Sequence, residues 1–246
     1  MSYEFTKEKI MSSDQLYLKR EEFKCGIYYL GNARDLIKII PNESIDLILT
    51  DPPFGLEMDE FDDPNVFFEL EDEMWRVLKK DAWLVFFYSI KKLPEAFKFK
   101  KFEYAWQIIC HFPTPFSKSV LGDRCYLPIL VFRKGKPKIY YRRYDVIPAD
   151  ELPFVIELVK DPRYKPTFTI SVLLHMFTRE NDFVLDPFAG FGSIPIVAEF
   201  FKRKWFAFEI DERKFNIAVK FIREGKVEKI ANLRKEKSNH SLELFF

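Results

Sequence analysis

The alternation of short apolar runs with amphipathic stretches constrains this chain more than any other feature. Runs with strand character lie at Ser44–Thr50, Ala82–Tyr88, Leu127–Arg133, Phe183–Asp186 and Lys204–Ile210. Between them, Val66–Leu78, Thr169–Thr178, Ile194–Lys202 and Glu212–Arg223 carry apolar residues at three- and four-residue spacing, the period of a helix with one buried face. Near-continuous apolar strands separated by such helices predict an α/β fold, a mostly parallel sheet with helices on both faces. The 246 residues suit one domain over 1–246, and no repeat or Gly/Ser linker divides them. The stretch 134–165, basic and aromatic before it turns helix-like, is the expected insertion, and the charged tail after Gly225 is expected to fray.

Charge and cysteine content narrow the partners. Lys and Arg total 39 against 38 Asp and Glu, so a polyanion would have to be attracted by local patches rather than by the whole-molecule field. The three cysteines, Cys25, Cys110 and Cys125, are odd in number and lack metal-ligand spacing, which points to a reducing compartment and to no metal. The first 23 residues are charged and contain no apolar core, so neither a signal peptide nor a membrane anchor is expected and the location read from sequence is cytoplasmic.

Two segments carry chemistry. The first ends the strand Leu47-Ile48-Leu49-Thr50 with Asp51-Pro52-Pro53-Phe54. Ligands of open α/β sheets gather at the carboxyl ends of strands, where this quartet falls. Consecutive prolines fix φ and remove backbone donors, so the Pro52 carbonyl can stand beside the Asp51 carboxylate. Two acceptors held together suit an amino group with two N–H donors, and Phe54 offers a flat face to a planar base. A strand simply stopped by a proline turn is the plainer alternative.

The second segment is Phe183-Val184-Leu185-Asp186-Pro187-Phe188-Ala189-Gly190-Phe191-Gly192-Ser193, a strand that passes through a glycine turn into a helix. Gly190 and Gly192 allow close backbone approach to a ligand, and the helix start presents unpaired N–H groups. About twenty residues on, Glu209 and Asp211 end the next strand and can accept from ribose hydroxyls, as in nucleotide-binding units. Pro195 occupies the place of the third glycine of a dinucleotide fingerprint, so an adenosyl ligand is favoured over a pyrophosphate cofactor and an oxidoreductase.

Together these segments resemble the amino-methyltransferases of DNA, in which D-P-P-[aromatic] is catalytic and D-P-F-x-G-x-G binds S-adenosylmethionine. The order here, catalytic segment first, is similar to the beta class, which implies a single Rossmann-like methyltransferase domain with circularly permuted motifs. The resemblance also takes in Ile27–Asn32, Trp75–Leu78 and Asp161-Pro162-Arg163-Tyr164-Lys165-Pro166. It implies that Asp51, Pro52, Pro53 and Phe54 hold the target base. It further implies that Asp186, Pro187, Phe188, Gly190 and Gly192 line the methionine end of the cofactor, Glu209 and Asp211 its ribose, Lys165 and Pro166 its flank, and Asn32 its adenine side. Asp161 and Arg163 replace the family's usual His and Thr. Asp rather than Ser at the head of the catalytic segment is similar to adenine-N6 members; cytosine-N4 or an RNA base is the alternative. A non-catalytic nucleic-acid-binding relative is the alternative of another class.

For nucleic-acid contact the sequence offers Arg133, Lys134, Lys136, Lys138, Arg142 and Arg143, interleaved with Tyr140, Tyr141 and Tyr144, since cations and rings can meet phosphates and unstacked bases. A charged strand edge would look the same. The interval from Arg133 to Lys165 leaves little room for a separate recognition domain, so a homodimer or a partner protein could share recognition of DNA. The acidic run Glu57–Asp63 reads as a solvated loop.

Overall fold

The computed structural model describes residues 17–55, 61–115, 117–149 and 165–224. Its main sheet has nine strands: β1 (Lys19–Glu22), β2 (Gly26–Leu30), β3 (Ile45–Thr50), β4 (Leu78–Phe87), β5 (Glu103–His111), β8 (Tyr126–Lys134), β9 (Val146–Pro148), β10 (Phe183–Asp186) and β11 (Lys204–Glu209). Their spatial order is β1-β2-β11-β10-β3-β4-β8-β5-β9. The five central strands β2, β11, β10, β3 and β4 run parallel, while β1 and β8 are antiparallel to their neighbours. Strands β6 (Ser117–Ser119) and β7 (Gly122–Arg124) form a separate ribbon.

Side chains alternate across β3 and so build two cores. Leu47 and Leu49 meet α4 (Thr167–Phe177), α5 (Ser193–Phe200) and α6 (Glu212–Arg223) through Ile170, Ile194 and Phe215. Ile48, on the other face, packs with Leu36 of α1 (Ala33–Leu36), Phe67 of α2 (Asn65–Glu69) and Met74 of α3 (Glu71–Val77). Helices therefore cover both faces, as the unbroken apolar strands require.

The helix expected over Val66–Leu78 is two helices that meet at Leu70, whose φ −80° and ψ 3° break the α geometry. Strand β5 escaped the periodicity reading because it lies near the sheet edge: only Ile108 and Cys110 of its nine residues are buried. Part of the expected insertion, residues 134–149, joins the main sheet through β9, whose Cys110↔Ile147 pairing is parallel. Residues 150–164 and the tail from 225 lie outside the described residues. No helix among the described residues is long and apolar enough to cross a membrane.

Adjacent strands β3 and β10 send the chain in opposite directions, β3 onward to β4 and β10 onward to β11 on the other side. Divergence of this kind opens a crevice beyond the strand ends, where open α/β sheets bind ligands.

Candidate active site

The carboxyl ends of all five parallel strands converge on that crevice. Thr50 closes β3 and is fully buried; its Oγ1 donates to Asp186 Oδ1 at 2.7 Å. The Phe188 N–H donates to the same oxygen at 3.2 Å. One carboxylate thus ties the Asp51–Phe54 turn to the glycine turn, two segments separated by more than a hundred residues. Asp186 is almost completely buried, and burial pushes its carboxyl up to about 8, although the two donors pull the other way.

Asp51, first after β3, forms an ion pair of 2.5 Å between its Oδ2 and Lys165 Nζ. Lys165 precedes α4, is itself buried, and sets its ammonium 5.8 Å from the centre of the Phe87 ring at the end of β4. Pro166 is the N-cap residue of α4. The ion pair joins this lysine to the acid that heads the Asp51–Phe54 segment. Pro52 is buried, Pro53 and Phe54 half-buried, and the Phe54 ring meets Tyr88 edge-on at 5.5 Å.

Asp62 completes the turn. Its Oδ1 accepts from the N–H groups of Phe54 at 2.8 Å and Gly55 at 2.9 Å. The sequence placed Asp62 in a solvated acidic loop; only the folded chain reveals it as the brace of the quartet. Residues 57–60 of that run lie outside the described residues.

The two glycines of the second segment do different work. Gly190 has φ +54° and nothing within 4 Å of where a Cβ would stand, so its face is open to a ligand. Its N–H donates to Glu209 Oε2 at 2.7 Å and its carbonyl accepts from the Tyr28 hydroxyl at 2.8 Å. Gly192, at φ +78°, would place a Cβ 2.8 Å from that of Ala218 in α6. The absence of a side chain here permits close packing of α6. Gly192→Ala is accordingly expected to lower stability by about 2 kcal/mol, roughly 4–8 °C in Tm, through overpacking and left-handed strain; an unchanged melting curve would contradict this.

Glu209, expected at a ribose, braces the backbone through both oxygens, since Oε1 also accepts from the Asp211 N–H at 2.7 Å. Burial raises its carboxyl above the ordinary range. A carboxylate oxygen has two acceptor sites, so the brace leaves chemistry for a ligand hydroxyl. Asp211 caps α6, accepting from Arg213 N–H at 2.8 Å and Lys214 N–H at 3.2 Å, and Asn32 caps α1 through Arg34 N–H at 2.9 Å. Gly31, just before it, donates its N–H to the Glu209 carbonyl at 2.8 Å and so sets the end of β2 beside the end of β11. Pro187 is buried beneath the glycine turn. Asp161–Tyr164 lie outside the described residues.

The basic residues divide. Strand β8 runs against β4, so Arg133 and Lys134 pair with Trp83 and Ala82, at the end of the sheet away from Asp51. Arg133 is bound to Glu103. Lys134 is buried and donates to the carbonyls of Trp75 and Leu78, both at 2.7 Å, so the expectation that it contacts phosphate gives way to an interior role. Lys136 N–H is held by Asp81, and the Lys138 carbonyl accepts from Trp83 Nε1, on the same far edge. Arg142 and Arg143 lie where the chain returns toward β9, and the Arg143 guanidinium stands 5.5 Å from the Phe168 ring, three residues past Lys165.

Known proteins resemble this chain in sequence and in fold. A family model for N6/N4 methyltransferases, described as DNA methylase, matches residues 160–220. The type II methyltransferase M.BamHI of Bacillus amyloliquefaciens is 30% identical over 236 residues, 75% of this chain and 54% of that protein. In fold the chain is similar to a crystal structure of the M1.HpyAVI–SAM complex, with TM-score 0.67, 20% identity and coverage of 78% of this chain and 97% of that one. It is also similar to PvuII DNA methyltransferase (cytosine-N4-specific), with TM-score 0.65, 20% identity and coverage of 85% and 97%. By these matches the chain is similar in sequence and in fold to DNA methylases of the N6/N4 family.

Proposed function

We propose that the chain is an S-adenosylmethionine-dependent DNA methyltransferase that methylates the exocyclic N6 of adenine. The observation that carries this reading is the Thr50–Asp186 hydrogen bond, which ties the strand end before Asp51 to the strand end that leads into the Gly190 turn, whose Cβ side is open. An acid suited to an amine is thereby kept next to a cradle suited to an adenosyl ligand. The residues fit that ligand: Asp186 is a buried acid matched to a cationic methionine end, Gly190 leaves room beside it, and Glu209 can take ribose hydroxyls. When bound, S-adenosylmethionine supplies an electrophilic methyl on a sulfonium. The Asp51 carboxylate and the Pro52 carbonyl accept the two N–H bonds of the amine and orient its lone pair toward that methyl. Formation of the new N–C bond would break the sulfonium S–CH3 bond and release S-adenosylhomocysteine, and the amine would lose one proton, which Asp51 passes to water; no covalent bond to the protein is required. Phe54 stacks on the target, which must leave the duplex to be reached. Lys165 fixes the rotamer of Asp51, and Arg142 and Arg143 are our candidates for phosphate contact. The order of catalytic strand before cofactor strand we read as the circularly permuted arrangement of the beta class.

Incubation of the protein with methyl-labelled cofactor and duplex DNA, followed by mass spectrometry of nucleosides, is expected to yield N6-methyladenine. N4-methylcytosine would replace the base assignment, and absence of label from adenine and cytosine alike would remove the activity.

A further inference from the structure

The hairpin of β5 and β8 does not end with the sheet. His111 pairs with Tyr126, the Phe112 N–H donates to the Cys125 carbonyl at 2.7 Å, and the chain then narrows into the β6–β7 ribbon. Its register, Ser117↔Arg124 to Ser119↔Gly122, leaves Val120 and Leu121 alone at the tip. The ribbon leaves the sheet on the Asp51 side, because Phe87 of β4 pairs with Ile129 near the start of β8, and Phe86 pairs with Thr50.

Val120 is 100% exposed and Leu121 96%. Neither belongs to a hydrophobic core of the fold. Nor does turn chemistry call for them, since two-residue turns favour Gly, Asn and Asp. The tip is nonetheless fixed in shape: the Ser119 hydroxyl donates to the Gly122 carbonyl at 3.0 Å and accepts from the Leu121 N–H at 3.2 Å. A preformed apolar point loses little conformational freedom when it inserts into a partner. Exposed Lys118 stands opposite Asp123 across the ribbon and half-buried Arg124 lies at its base, so the ribbon as a whole has an excess of positive charge toward any backbone the tip approaches.

We propose that Val120 and Leu121 are a wedge that enters the DNA base stack beside the target and fills the gap left when that base turns into the Asp51 crevice. The inference rests on the reading of the chain as a DNA methyltransferase. Extruding a base exposes the faces of its former neighbours, and apolar side chains inserted between base steps cover such faces. The wedge would act on extrusion, not on methyl transfer itself, and that separation makes it testable.

The target sequence is first read from DNA modified by the wild-type protein. Methylation is then measured on a fully paired duplex and on one in which the target base is mispaired, for wild type, V120S/L121S and the apolar V120I/L121M. Mispairing lowers the cost of extrusion, so V120S/L121S should lose about tenfold or more on the paired duplex and stay within about threefold of wild type on the mispaired one. V120I/L121M should restore the paired-duplex rate, with thermal unfolding the same for all three. Equal losses on both duplexes, or no loss on either, overturn the wedge alone. So does a wild-type dimer that V120S/L121S dissociates, which would make the tip a contact between copies. A wild type that methylates neither duplex overturns the wedge together with the reading beneath it.

Discussion

Asp51→Ala is expected to reduce methyl transfer by about three orders of magnitude while S-adenosylhomocysteine binds within about threefold of wild type. The variant removes the acceptor that orients the amine and leaves the Gly190 cradle intact, so the loss belongs in the chemical step. Single-turnover transfer of labelled methyl, paired with calorimetric titration of the ligand, separates the two. A rate within tenfold of wild type would falsify the role of Asp51. The ion pair with Lys165 sharpens the test. Lys165→Met should slow transfer by roughly 10- to 100-fold when Asp51 is present, because an acid free to rotate spends less time in the productive geometry. In the Asp51→Ala background the same substitution should cost almost nothing further, since residues that act as a unit are not additive. Independent losses in the double variant would mean that Lys165 serves something other than Asp51.

The second large effect concerns Asp186 and pH. Burial raises its carboxyl to about 8 in the folded protein, whereas a carboxyl in the unfolded chain titrates near 4. Between those values the folded state binds more protons than the unfolded state, so stability falls as pH rises. The contribution of this group is fully present below about pH 4, is lost progressively toward pH 8, and is constant above that. Replacement by Asn mimics the protonated acid and should flatten this slope. Unfolding free energies of wild type and Asp186→Asn, measured from pH 4 to 9, should converge at the acid end and differ by a few kcal/mol at the alkaline end, with the variant the more stable. Parallel curves would show that Asp186 does not titrate in this window. An acid that costs stability at working pH is characteristic of functional sites. In the proposed reading the gain is affinity for a cationic ligand, so Asp186→Asn should also weaken S-adenosylmethionine binding.

The crevice explains why the two chemical segments could be read without a fold and why their connection could not. Asp51 and Gly190 declare themselves through neighbours in sequence: a proline pair that stops a strand, and a glycine turn between a strand and a helix. Lys165 gave no comparable signal of its partner. Its pairing with Asp51 depends on the path of α4 over the sheet, a relation between residues more than a hundred positions apart. Asp62 looked like one acid among several, and only the closed turn gives its Oδ1 two N–H donors. Glu209 and Asp211 are legible in the sequence as acids at a strand end, and Asn32 only through the family resemblance. The structure finds each also bonded to backbone N–H groups, as brace or helix cap.

The basic stretch shows the same division in another form. From sequence, Arg133 to Arg143 is one patch. In the sheet, β8 turns against β4 and carries Arg133, Lys134, Lys136 and Lys138 to the edge opposite Asp51, while its other end delivers the Val120–Leu121 tip to the active edge. Strand direction, which no local pattern encodes, decides which residues can meet a common ligand.

The amino-acid order by itself determined the layered α/β architecture, the two ligand-bearing strand ends and their likeness to DNA amino-methyltransferases, because periodicity, proline and glycine act over a few neighbouring residues. Tertiary structure alone decided the Thr50–Asp186 tie, the Lys165–Asp51 pair, the separate tasks of Gly190 and Gly192, and which charged residues face the crevice. Those contacts join segments far apart along the chain, and their energies exist only once packing has removed water from between them.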